Sequence, residues 1–149
     1  MCEWGSEMAE IQKRWTQFDP RDFMDELKEG DIEKALEWVD DNASWRIPGD
    51  PKYGGAVHEG KAGFRKFAEL ANYSLPHGVE RLWSRVSHAP GVTFLEQQIR
   101  ARTMIETVYE NEYVFVFRHG PDGKLVEVKE YQDMQPMLEA FDGWEPEDD

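Results

Sequence analysis

Apolar residues recur at helical spacing early in the chain and alternate later. Ile11, Trp15 and Phe18 share one side of a predicted amphipathic helix. Asp19-Pro20 punctuates it. Asp19 has N-cap chemistry, and Pro20 suits the first helical position, where its missing N–H costs nothing. Phe23 and Leu27 give the next short helix its apolar side. Gly30-Asp31 ends that helix and caps another, along which Ile32, Ala35, Leu36 and Val39 recur. At Asp41 the period changes to two. Ala43, Trp45 and Ile47 alternate with Asn42, Ser44 and Arg46, as in a half-buried strand. Pro48-Gly49-Asp50-Pro51 breaks it, and Ala56 to Glu59 predicts a brief returning strand. Phe64, Phe67, Ala68 and Ala71 then mark one face of a longer helix starting at Lys61 and stopped by Pro76, His77 and Gly78.

Beyond Gly78 the chain reads as four strands: Val79 to Ala89, Val92 to Ile105, Tyr109 to Arg118 and Leu125 to Asp133. Pro90-Gly91 and Pro121-Asp122-Gly123 supply tight turns. A short helix through Met137, Leu138 and Phe141 closes the pattern. Successive strands joined by tight turns make an antiparallel meander, and the preceding helices must cover its apolar face. The expected class is α+β: a roll, with a curved antiparallel sheet wrapped around N-terminal helices. Such a shape leaves a central pocket between sheet and helices.

Length and composition narrow this reading. The 149 residues fit one domain, with a core over about 10–142 and an acidic tail at 143–149. Six Trp and eight Phe suffice to fill a core or line a cavity. A formal net charge of −14 repels phosphate backbones and anionic bilayers, so neither nucleic acid nor membrane is an expected partner. No stretch approaches the roughly 18 apolar residues of a membrane span. The acidic N-terminus lacks a signal-peptide pattern, and the single cysteine, Cys2, excludes an internal disulfide framework. The expectation is a cytoplasmic protein.

The candidate chemistry centres on Glu130. Alternation places Val126, Val128 and Glu130 on one side of the last strand, and Glu127, Lys129, Tyr131 and Asp133 on the other. If the valines face the cavity, so does the glutamate. An apolar pocket raises a carboxyl pKa, so Glu130 would donate or accept a proton near neutral pH. The alternative is a structural carboxylate held by a backbone N–H or an arginine. Tyr109, Asn111, Tyr113, Phe115 and Phe117 share one strand face, and Trp45 and Ile47 join them from the first strand. Phe115 and Phe117 read first as core, with Phe115 also a candidate wall of the ligand site. Tyr113 and Trp45 are the stronger ligand contacts, because each carries a polar handle. Gln97, between Leu95 and Ile99, needs a partner on the buried face, either Glu130 or a ligand. His58 is a candidate ligand contact or proton shuttle, against a loop-capping role. His77, His88 and His119 stand beside turns and read as solvated. No metal-binding spacing, P-loop, GxSxG or dinucleotide fingerprint occurs, so neither metal nor cofactor is expected.

Several segments carry a family likeness. Y-x-N-x-Y-V-F-V-F-R from Tyr109, then D-G-K-L and K-E-Y-Q-D, resembles the SnoaL-like proteins of the ketosteroid-isomerase-like superfamily, which have the nuclear-transport-factor cone fold. G-D-I-E at Gly30, D-D-N-A-S-W at Asp40, P-G at Pro48, H-E-G-K at His58 and Y-Q-D-M-Q-P-M-L-E-A at Tyr131 follow the same order. Together they cover about 20–142. The resemblance implies a small-molecule pocket and, through the charged outer face bearing Glu96, Gln98, Arg100 and Arg102, a homodimer. The steroid isomerases' base and oxyanion donors match Ile47, Phe23 and Phe115. The Arg and second Asp of limonene-epoxide hydrolases fall near Gln97 and Ile99. Neither chemistry is supported by these residues. The phenazine-biosynthesis members carry a pocket glutamate at the position of Glu130, although their basic helix residue is Phe67 here.

The resulting expectation is a cofactor-free isomerase, cyclase or dehydratase acting on an apolar ring or polyketide-like compound. Glu130 would be its acid/base. Alternatives are a non-catalytic module that binds an apolar metabolite, or a protein-binding accessory domain.

Overall fold

The computed structural model describes residues 16–142. Most of the first expected helix, with Ile11 and Trp15, and the acidic tail lie outside the described residues. Helix α1 spans Pro20–Lys28 and is capped as its sequence predicts, with the Asp19 side chain accepting from the Arg21 N–H. Phe23, Met24 and Leu27 form its buried side. Helix α2 is short, Ile32–Leu36, with Asp31 as its cap. Val39, expected to extend α2, instead opens strand β1, Val39–Ile47. A 3-10 turn at Pro51–Tyr53 leads to β2, Ala56–Glu59, and to the long helix α3, Gly60–Ser74. Strands β3 (Val79–Ala89), β4 (Val92–Arg102), β5 (Val108–His119) and β6 (Leu125–Gln132) follow, and α4 is Met134–Ala140.

One six-stranded sheet runs in the order β2-β1-β6-β5-β4-β3. The expected meander β3 to β6 is antiparallel throughout. However, β6 also pairs in parallel with β1, bringing Trp45 beside Val128, so the sheet is mixed. Its core face buries Trp45, Leu95, Phe115, Phe117 and Val128 against Phe23, Leu27 and Phe64 of the helices. This is the α+β roll expected from the element order and the cone that the resemblance implies, with one parallel pairing added.

The start of β6 departs from simple alternation. Leu125 and Val128 are fully buried, whereas Val126, expected beside Glu130, is 40% exposed. Register explains the difference. Arg118 pairs with Glu127 and His119 with Leu125, leaving Val126 as an extra residue that bulges outward. Past the bulge the alternation is regular, and Glu130 faces inward.

Gly63 marks a tight contact between α3 and β2. A Cβ there would stand 2.5 Å from the His58 carbonyl carbon. Gly63→Ala is expected to destabilise the fold by about 1–3 kcal/mol, an overpacking cost. Urea unfolding checks it, and an unchanged midpoint would mean that α3 shifts freely.

Candidate functional site

The sheet and its covering helices line a mostly apolar, partly open cavity of about 250 Å³. Met24 and Lys28 reach it from α1, Phe67 and Leu70 from α3, and Met137 from α4. Gln97 and Ile99 come from β4, Tyr109, Tyr113 and Phe115 from β5, and Glu130 from β6. Glu130, Gln97, Tyr113, His58 and Phe115 thus converge on one space.

Glu130 sits opposite Phe115 in the β5–β6 ladder and is 6% exposed. Its carboxyl group makes no hydrogen bond or ion pair with any described residue, so among the described residues neither a backbone N–H nor an arginine holds it. Burial pushes its pKa up to about 7, while the positive charge of Lys28 acts in the opposite direction. A carboxyl group in that state is available both as acid and as base near neutral pH.

Two tyrosine hydroxyls add to the cavity's polar groups. The Asn111 amide donates to the Tyr109 oxygen at 2.7 Å and to the Asp133 carbonyl at 2.8 Å. Tyr109 donates to Gln132 Oε1 at 3.2 Å, so its close contact with the Tyr113 hydroxyl has Tyr113 as donor. Burial raises the pKa of both phenols, Tyr113 well above its ordinary value, which keeps them neutral. Gln97 finds its partner in Arg81 rather than Glu130. Arg81 Nε donates to Gln97 Oε1 at 2.8 Å, and the same guanidinium pairs with Asp25. The Gln97 amide hydrogens have no further described partner. His58, half-buried on β2, has its pKa lowered by burial and then by Lys66, so its imidazole is neutral at pH 7.

Trp45 is not part of this lining. It is fully buried, stacked on Phe67 with ring centroids 3.9 Å apart, and Phe67 is the ring that reaches the cavity. The Trp45 indole N–H has no described hydrogen-bond partner. Its polar handle, the reason to expect a ligand contact, points into packed core. His119 also differs from expectation: it is half-buried against Phe18 and bonded to Thr93, not solvated.

Lys28 is the charged lining residue that the sequence reading missed. It is the last residue of α1 and lies one turn after Met24, which also lines the cavity. That i, i+4 spacing was the available signal. Burial lowers its pKa, with Glu130 the largest opposing influence.

The model of the SnoaL-like domain matches residues 21–128. The chain belongs to the SnoaL-like family. No curated protein matches its sequence. Its fold is shared with a phenazine biosynthesis-related protein of Pseudomonas aeruginosa, at 17% identity and TM-score 0.71, over 95% of this chain and 88% of that one. A candidate polyketide cyclase of Pseudomonas putida KT2440 aligns at 16% identity and TM-score 0.66, over 79% and 91% of the two chains. TerC, co-crystallised with polyporic acid, aligns at 20% identity and TM-score 0.63, over 92% and 99%. Within the SnoaL-like cone, Ile47 and Phe115 line the cavity as apolar groups, while Phe23 is core. Among the described residues no three His, Cys, Asp or Glu side chains gather as a metal site requires. No described helix is long and apolar enough to cross a membrane.

Proposed function

We propose that this SnoaL-like protein binds a small, mostly apolar ring compound in the cavity and that Glu130 transfers a proton on it without a cofactor. The reaction type is isomerisation, cyclisation or dehydration. The observation that carries this reading is an unpaired carboxyl group facing an apolar cavity, with its pKa near 7. As a base it removes a proton from a carbon beside a carbonyl. The resulting acid exchanges its proton with solvent and delivers one to another atom of the ligand. Tyr113 and the free amide hydrogens of Gln97 orient the ligand, Phe115 and Phe67 wall the ring, and neutral His58 closes the β2 side. The relatives' polyketide-cyclase and phenazine-related names point to ring chemistry in the same fold.

A ligand recovered with the protein and identified by native mass spectrometry supplies the substrate for the test. Incubated with the protein in heavy water, it is expected to take up deuterium at carbon. The rate should rise as pH passes about 7 and Glu130 becomes the free base. A ligand that stays unlabelled and chemically unchanged would reduce the protein to a binding module.

A further inference from the structure

Lys28 and Glu130 face the same cavity without forming an ion pair. The Lys28 ammonium has three donor hydrogens, and none meets a described acceptor. It is half-buried at the inner end of α1, so water satisfies it only in part. The remaining lining offers it little. Phe67, Leu70, Ile99 and Met137 are apolar, Tyr109 is held in its own network, and no polar lining group, Tyr113, Ser74 and Gln132 included, is hydrogen-bonded to Lys28. The chain as a whole is strongly acidic, with a net charge of −14, which repels a free organic acid at long range. An anionic ligand therefore needs a local cation.

We propose that Lys28 anchors a carboxylate on the ligand, so that the protein selects ring acids over neutral rings of the same shape. A carboxylate at Lys28 leaves the attached ring in the cavity that Phe67, Leu70, Ile99 and Glu130 also line. The ammonium then exchanges partial solvation for a charge-assisted hydrogen bond, and the apolar walls cover the ring. This inference rests on the cavity assigned above but not on proton transfer within it.

Calorimetric titration of the full chain at pH 6 with 2-naphthoate and with 2-naphthalenemethanol tests it. Wild type is expected to bind the acid at least about tenfold more tightly than the alcohol, the ratio that one charge-assisted hydrogen bond gives. Lys28→Met should erase that preference, and Lys28→Arg should retain most of it. Equal affinities in wild type, binding of the alcohol alone, or no binding of either probe overturns the proposal without reference to any variant's folding. A preference that survives in Lys28→Met overturns it as well. Deuterium exchange into the natural ligand is measured separately, so loss of the acid anchor is distinguishable from loss of the Glu130 chemistry.

Discussion

Glu130→Gln is expected to lose proton transfer and gain stability in the same molecule. Removing a general acid/base lowers turnover by about 10²–10⁴-fold. Amide and carboxyl have nearly the same shape, so ligand affinity should change far less than rate. The stability gain follows from the pKa. The folded carboxyl titrates at about 7, against an ordinary value of 4.5. Below pH 4.5 the group is protonated in folded and unfolded chains alike and has no effect on their balance. Between 4.5 and 7 the folded chain holds the proton more tightly, so stability falls as pH rises. Above 7 the full penalty stands, at about 3 kcal/mol for a shift of this size. Glutamine never ionises and escapes it. Urea unfolding should therefore show Glu130→Gln more stable than wild type by up to about 3 kcal/mol at pH 8, and equal to it near pH 4.5. A variant no more stable than wild type at pH 8 would mean that the carboxylate is well solvated or paired, which also removes the basis for its catalytic role.

Trp45→Ala is the most damaging core substitution expected. The side chain is fully buried, stacked on Phe67 and set edge-on to Phe64 and Phe115. Truncation leaves a large cavity behind three aromatic rings and costs about 3–5 kcal/mol. For a chain of this size that corresponds to a fall in Tm of roughly 6–20 °C. Trp45→Phe keeps the stack and removes the indole N–H that lacks a described partner, so its loss should be much smaller. Because Trp45 lies behind the cavity wall, Trp45→Phe should leave ligand affinity within about threefold of wild type. A large affinity loss without a stability loss would return Trp45 to the ligand site. Thermal melts and calorimetry on the two variants separate these outcomes.

Local signals were legible in the sequence and distant ones were not. Asp19 and Asp31 cap their helices because short-range chemistry decides a cap. The alternation around Phe115 and Glu130 placed both on the inner face because strand period is a local property. The same alternation gave the side of the sheet for Trp45 but not its depth, since Phe67 comes from another element. Val126 was misplaced because Leu125 and Val126 are both apolar, and either phase fits until the partner strand fixes a bulge. Lys28 looked like an ordinary basic residue at a helix C-terminus. Its i, i+4 relation to Met24 puts both on one helix side, and the packing of α1 over the sheet turns that side toward the cavity. The parallel pairing of β1 with β6 depends on segments far apart in the chain and left no trace in either one.

That pairing has a consequence for how the molecule assembles. Strand β6 lies between β1 and β5, so the inner edge of β1 has no neighbour until β6 has been synthesised and inserted. Closing such a distant contact pays its entropy before the contact rewards it, which slows folding. The meander β3 to β6 can form from its own turns. Glu130 lies on the strand that joins that meander to the first hairpin. The sheet around the acid is therefore complete only when this distant contact closes, and a chain stalled before β6 leaves sheet edges unpaired.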